Sequence, residues 1–271
     1  MDGSGYGYWR NLYLDSDPVL VSAAGRIFQA DPSLEWLRSI TPGLTAAVER
    51  MVGTIGQEGL VICRDLSGNS GSHRWSSNAW DVVGFGHIDA YVNAWTYRAL
   101  RNAAALLNET NRKDLAERAR EAAVRLKSHY AEYLVNPDTG WVMGWRSRDG
   151  QAHDYAMLLI NGAACAFGVL EPEIAAQALR NLEALRRRLG LTSARLGLPC
   201  SLLPLRESDH MLPFLSHLRY SWMEPTFETF TDGAMCPLVA SHYLRALSIH
   251  GFKDAARALA EDLDAGFAEG L

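Results

Sequence analysis

The sequence predicts an all-α fold, an (α/α) toroid or barrel of helical hairpins with short strands in its loops, spanning residues 1–271 as one domain. Three observations predict it. Apolar segments with a three- and four-residue period alternate with charged amphipathic segments of similar length. The alternation repeats three times, each unit being a polar aromatic loop, an apolar helix, a short turn and a charged helix. An aspartate stands at every passage from loop to apolar helix: His87-Ile88-Asp89-Ala90, His153-Asp154-Tyr155-Ala156 and Thr231-Asp232-Gly233-Ala234. Stacked hairpins build either an open solenoid or a closed double ring. Inner helices this apolar favour the ring, because the concave helix of a solenoid usually keeps a wet face.

The elements follow in order. The first dozen residues are rich in Gly and Tyr and read as irregular. Short helical patterns occupy 18–30, 33–40 and 42–53, with Pro32 and Pro42 near the starts of the second and third, where proline is tolerated. LVICRDL, 60–66, reads as a short strand, and SGNSGS, 67–72, as a loop. A long apolar helix then spans about 88–108, with Tyr91, Val92, Trp95, Ala99, Leu100, Ala103 and Leu107 on its repeat. Its partner, 113–134, carries Leu115, Ala119, Ala122, Ala123, Leu126 and Tyr130 on one stripe and charges on the other. Turn, short strand and turn fill 136–150. A second buried helix spans 153–170, free of charge from Tyr155 on, followed by an amphipathic one to about 189, whose Arg186, Arg187 and Arg188 form a solvated C-terminal end. Three prolines interrupt 191–219. The last unit is an aromatic and acidic loop, 222–235, an apolar helix, 236–250, and a charged helix, 253–271.

Composition narrows the function classes. A chain of 271 residues with 48% hydrophobic and 21% charged residues can bury a sizeable core. Net charge −5, with no basic run beyond three arginines, argues against nucleic acid as a partner. Cys63, Cys165, Cys200 and Cys236 lack CxxC spacing, and two fall in apolar helices, which is the pattern of buried free thiols. No HExxH pattern, no GxGxxG after a strand and no GKS/T loop occurs, so the expectation is neither metal nor cofactor. The N-terminus has no apolar signal core and no stretch approaches a membrane span, so the expected location is cytoplasmic. Oligomeric state is left open.

The chemistry concentrates at the loop-to-helix passages. In a ring of hairpins these gather at one mouth, bringing Asp89, Asp154 and Asp232 together with Asp81, Glu224 and Glu228 from the same loops. Clustered carboxylates divide acid and base work, one kept protonated by burial and its neighbours, another ionised. Cleaving a glycosidic bond needs that division. The same loops hold Trp75, Trp80, Phe85, Trp141, Trp145, Trp222 and Phe227. Tryptophan faces pack against the C–H faces of sugars, while Asp, His and Arg bond their hydroxyls. For Phe85 and Phe227 the plainer role is core packing, and for Asp89 it is capping the helix.

The units SSNAWDVVGFGHIDAYVNAWTYRAL, NPDTGWVMGWRSRDGQAHDYAMLLINGAA and FETFTDGAMCPLVASHYLRAL resemble the six-hairpin, (α/α)6-barrel glycosidases, from about Trp75 to the C-terminus. The resemblance implies glycoside hydrolysis, mostly inverting, by a carboxylic acid and a carboxylate base. Six hairpins need twelve helices and the patterns supply nine or ten, so the expectation is either a ring without its last C-terminal hairpin or one that the N-terminal helices close imperfectly.

The expected activity is inverting hydrolysis of an oligosaccharide or glycoside. Asp89 is the first candidate acid and Glu228 the first candidate base, with Asp154 and Asp232 as alternates. Trp75, Trp80, Asp81, His87, Tyr91, Trp145, Arg146, His153 and Trp222 would bind the sugar. A sugar epimerase or isomerase, or a polysaccharide lyase, on the same ring would instead use histidines as proton carriers, with His87, His153, His210 and His242 available. A third expectation is a non-catalytic sugar-binding or scaffold protein.

Overall fold

The computed structural model describes residues 13–63, 76–80, 83–210 and 232–270. Among them lie eight α-helices that pair into four hairpins: α1 Ser16–Ala30 with α2 Leu34–Thr54, α3 Ala90–Glu109 with α4 Lys113–Leu134, α5 Leu158–Phe167 with α6 Pro172–Arg188, and α7 Pro237–Ile249 with α8 Lys253–Ala268. The first helix of each hairpin is inner. These four pack side by side in the order α1, α3, α5, α7, and residues of all four line one cavity, so the row is curved. The expected (α/α) barrel-like fold is the observed one, with a fourth hairpin, α1–α2, added ahead of the three read from the repeat.

Position in the row explains composition. All ten residues of α5 are buried, because it has α3 and α7 on its flanks and α6 behind it. The outer helix α4 buries a stripe instead, including Leu115, Ala119, Ala123, Leu126 and Tyr130. Tyr130 donates from its hydroxyl to the Ala90 carbonyl at 2.9 Å, tying the outer helix to the first turn of the inner one. One contiguous hydrophobic core draws residues from all eight helices.

Two asparagines repeat one structural task. Asn93, fourth residue of α3, accepts from Val61 N at 2.7 Å and donates to the Val61 and Asp89 carbonyls at 3.1 and 2.9 Å. Asn161, fourth residue of α5, does the same with Val142 N and the Val142 and Met157 carbonyls, at 2.8, 2.9 and 2.9 Å. Each clamps the strand-like segment that follows an outer helix, satisfying backbone groups that would otherwise be buried without partners. Asparagine inside an apolar helix was the visible signal.

Several expectations need correction. The patterns at 33–40 and 42–53 form one helix, α2, with Pro42 inside it. Leu37, Leu44, Ala47, Val48 and Met51 are buried on one stripe on both sides of Pro42, and the carbonyl freed by the missing N–H belongs to Arg38, which is exposed to water. The strand expected at 60–66 is reduced to an isolated bridge between Ile55 and Val61, and 64–66 lie outside the described residues. The third inner helix begins at Leu158, because His153 belongs to a strand and the Asp154 side chain turns the chain by accepting from Ala156 N at 3.1 Å. It ends at Gly168, whose φ of 76° leaves the helical region. Arg186 is buried, not solvated: it forms a 3.0 Å ion pair with Glu183, one turn earlier on the face towards α7, where the Tyr243 hydroxyl also donates to Glu183 at 3.0 Å.

The short strands position the loops. β1 Ile88–Asp89, β2 Trp145–Arg146 and β3 Ala152–His153 form an antiparallel sheet in that order, and β4 Leu198–Pro199 pairs with β5 Met235–Cys236. Among the described residues no helix is long and apolar enough to cross a membrane.

Candidate active site

Asp89 is the N-cap of α3. Its Oδ1 accepts from Tyr91 N at 2.8 Å and Val92 N at 3.2 Å, the bonds that a helix start leaves open. Its Oδ2 accepts from Ser77 Oγ at 2.6 Å and Asn78 Nδ2 at 2.7 Å. The segment Ser76, Ser77 and Asn78 is thus a buried floor under the helix start. Burial pushes the Asp89 carboxyl up to about 6, against the pull of these donors. Trp80, half-buried, stands edge-on to Tyr91 with ring centroids 6.4 Å apart. Burial also raises the Tyr91 phenol, to about 12.

The three-stranded sheet places Asp89, Trp145 and His153 opposite one another on successive strands. Trp145 is fully buried and stacks on the His153 imidazole, centroids 4.4 Å apart and planes 7° apart, with Phe85 packed at 4.8 Å. With His153 stacked on it and Phe85 packed against it, Trp145 has no exposed face to offer a sugar. Phe85 is core, as its plainer reading had it. Arg146 donates to the Tyr133 and Gly150 carbonyls at 3.2 and 2.9 Å, which commits its side chain to holding the hairpin. His87, half-buried at φ 50°, accepts on its carbonyl from Cys63 N at 2.7 Å. Burial and the Arg148 charge lower its imidazole. Ala156, φ 48°, is a second non-glycine residue at positive φ beside an aspartate passage.

His153 leads into a cluster whose other members, Asp209, Arg206, Tyr155 and Ser147, were not expected from the sequence. Its Nδ1 lies 2.8 Å from Asp209 Oδ2 and its Nε2 2.9 Å from Ser147 Oγ. Asp209 is buried and also accepts from the Tyr155 hydroxyl and from Arg206 at 3.1 and 3.3 Å. Burial first, and Asp209 second, raise the Tyr155 phenol to about 12. Next in the chain, His210 Nε2 lies 3.3 Å from Asp232 Oδ2. Asp232 raises the His210 imidazole, and its other oxygen accepts from Leu205 N at 2.9 Å. The stretch Arg206-Glu207-Ser208-Asp209-His210 was visible as a dense ionisable run inside an apolar, proline-broken region.

The structure therefore links the passages before α3, α5 and α7 through the sheet and through Asp209 and His210. Asp154 faces another way: it accepts from Asn136 Nδ2 at 2.8 Å, Trp141 Nε1 at 2.7 Å and Thr139 Oγ1 at 3.3 Å, clasping the turn before β2. Glu228, Trp75, Asp81 and Trp222, with Glu224 and Phe227, lie outside the described residues. His242 lies towards the other end, on α7. Among the described residues no group of three or more His, Cys, Asp or Glu is placed to hold a metal ion.

No family model matches the chain, and no curated protein matches it in sequence. Solved structures do. A rhamnosidase from Klebsiella oxytoca with rhamnose bound superposes with a TM-score of 0.59 at 18% identity, over 91% of this chain and 37% of that one. A GH78 family rhamnosidase of Bacillus sp. GL1 gives a TM-score of 0.50 at 16% identity, over 84% of this chain and 25% of that one. The likeness is one of fold, and the chain spans well under half the length of either. At that level it agrees with the resemblance to (α/α)6-barrel glycosidases.

Proposed function

We propose that this chain is a glycoside-hydrolase-like carbohydrate-active enzyme, cleaving an oligosaccharide or glycoside by inversion at the end of the ring where the loops enter α3, α5 and α7. The observation that carries the reading is the gathering of Asp89, His153, Asp209, His210 and Asp232 at that end, linked through one sheet and one side-chain network. The shared fold with two rhamnosidases supports it.

Inversion needs one carboxylic acid to protonate the leaving oxygen and one carboxylate to activate water. Asp89 is the proposed acid and Glu228 the proposed base. A carboxyl held near pH 6 supports the acid role, since about half of it carries a proton at that pH. Its burial and four donors support the cap role equally, so the two variants are read differently. Glu228→Gln is expected to lower turnover about 10²–10⁴-fold while the protein stays folded. Asp89→Asn is expected to do the same and to alter the limb of the pH–rate profile that reports the acid. Turnover that survives in Asp89→Asn with an unchanged profile would leave Asp89 as a cap only. Trp80 and Tyr91 are the proposed sugar contacts among the described residues. Release of reducing sugar from a panel of glycosides, rhamnosides included, tests the class. No product, alongside tryptophan quenching by sugar, would point to a non-catalytic binder.

A second reading is favoured by one observation: two histidine–aspartate pairs, His153 with Asp209 and His210 with Asp232, lie at the same end. Such pairs suit proton transfer at carbon, as in an epimerase or a lyase. Epimers or unsaturated products in the same assays would select it.

A further inference from the structure

A cavity of about 620 Å³ opens among the C-terminal halves of the four inner helices, the ends remote from Asp89. Arg98, the first α3 residue in its lining, stands nine positions after Asp89, which at a rise of about 1.5 Å per residue is about 14 Å along the axis. Four arginines line the cavity: Arg26 from α1, Arg98 and Arg101 from α3, and Arg245 from α7. Glu109 is the one carboxylate among the lining residues. None of the four arginines is ion-paired among the described residues.

This is an unusual concentration for a chain of net charge −5. Three separate helices bring guanidinium groups to one hollow, where a single carboxylate, Glu109, stands against four cations. Burial lowers Arg98, and Arg245 and Arg26 lower it further. The same three cations, after burial, push His242 down to about 4, so this ring adds no charge of its own near neutral pH. Arg98 is also held in place. Its guanidinium carbon lies 4.5 Å from the Phe167 ring centroid and 5.5 Å from that of Trp95, so two aromatic faces fix the fork before any ligand arrives. Arg101 lies 5.7 Å over Tyr97. Gln29 and Asn102, also in the lining, supply neutral donors and acceptors for hydroxyl groups.

We propose that this cavity binds a small phosphate-bearing anion, held by Arg26, Arg98, Arg101 and Arg245, at a site separate from the proposed catalytic end. Planar guanidinium forks match phosphate oxygens two at a time. Several forks around one hollow balance a dianion or polyanion better than a single carboxylate. The volume accommodates a phosphorylated monosaccharide as well as pyrophosphate.

The experiment is calorimetric titration of the whole chain with inorganic phosphate, pyrophosphate, glucose 6-phosphate, glucuronate and glucose. Expected are saturable binding of pyrophosphate and glucose 6-phosphate, weakening as sodium chloride is raised, weaker binding of glucuronate, and no detectable heat with glucose. Arg26 and Arg245 are exposed, so Arg26→Ala/Arg245→Ala should fold normally by circular dichroism and bind about tenfold more weakly or worse. Arg187→Ala, an exposed charge on α6, should bind as the parent does. Arg98→Met reports on the stacked fork. Absence of binding in the parent, unchanged affinity in the double variant, equal loss in Arg187→Ala, or glucuronate binding as tightly as pyrophosphate would each overturn the proposal. If glucose 6-phosphate binds and pyrophosphate and phosphate do not, the ligand's sugar, not its charge, is recognised, and the proposal also fails.

Discussion

Asp89 and His242 show how single side chains bend the stability of this fold with pH in opposite directions. The folded-state value of Asp89, about 6, lies above that of a free aspartate, so between about pH 4 and 6 the native state binds more protons than the unfolded one. Stability from this group therefore falls as pH rises through that window, by about 3 kcal/mol for two units of separation. His242, lowered to about 4, behaves oppositely: its unfolded state binds more protons between about pH 4 and 6.5, so stability rises with pH there. Urea unfolding of Asp89→Asn and His242→Gln across pH 4–7 should remove one slope each; a parent-like pH profile in both variants would contradict the assignment. Asp89→Ala should cost about 3 kcal/mol, since it strips the cap from α3 and leaves Ser77 and Asn78 without their acceptor. His87 could not be placed from composition alone, because its environment is set by Arg148 and Cys63, chain neighbours only through folding.

Inner helices are legible in this sequence because burial on all sides leaves no polar stripe, as in α5. Their ends are less so, since the cut between strand and helix at Asp154 depends on a clasp to Asn136 and Trp141 rather than on local preference. Asn93 and Asn161 make the clearest element-scale test. Replacing either with Leu should cost about 2–3 kcal/mol, because a buried N–H and a buried C=O of Val61 or Val142 lose their partner. Loss of under 0.5 kcal/mol in denaturant melts would show that solvent or another group takes over. At Gly162 α5 and α7 come close: an added Cβ would lie 2.8 Å from Tyr243 N and 3.0 Å from its Cα. Backbone cannot swing aside as a side chain can, so Gly162→Ala should destabilise by about 1–3 kcal/mol. Unchanged thermal unfolding would mean that the two helices separate at little cost.

At the scale of the whole molecule, the curved row of four hairpins has two chemically distinct ends, carboxylates and histidines at one, arginines at the other. A functional coupling between them is measurable: if the proposed hydrolysis is observed, saturating pyrophosphate should alter its KM or kcat only in a protein that retains Arg26 and Arg245. The alternation of apolar and charged helices, the aspartate at each passage and the aromatic loops were all determined by the sequence, because periodicity and capping are local properties that a linear pattern displays. What only the tertiary structure decided was partnership. It joined His153 to Asp209 across 56 residues, set Asp154 to clasp a turn, enclosed Trp145, and drew Arg26, Arg98 and Arg245 from three helices into one hollow. Contacts of that span depend on how helices curve around a shared space, and nothing in the spacing of residues along the chain encodes that curvature.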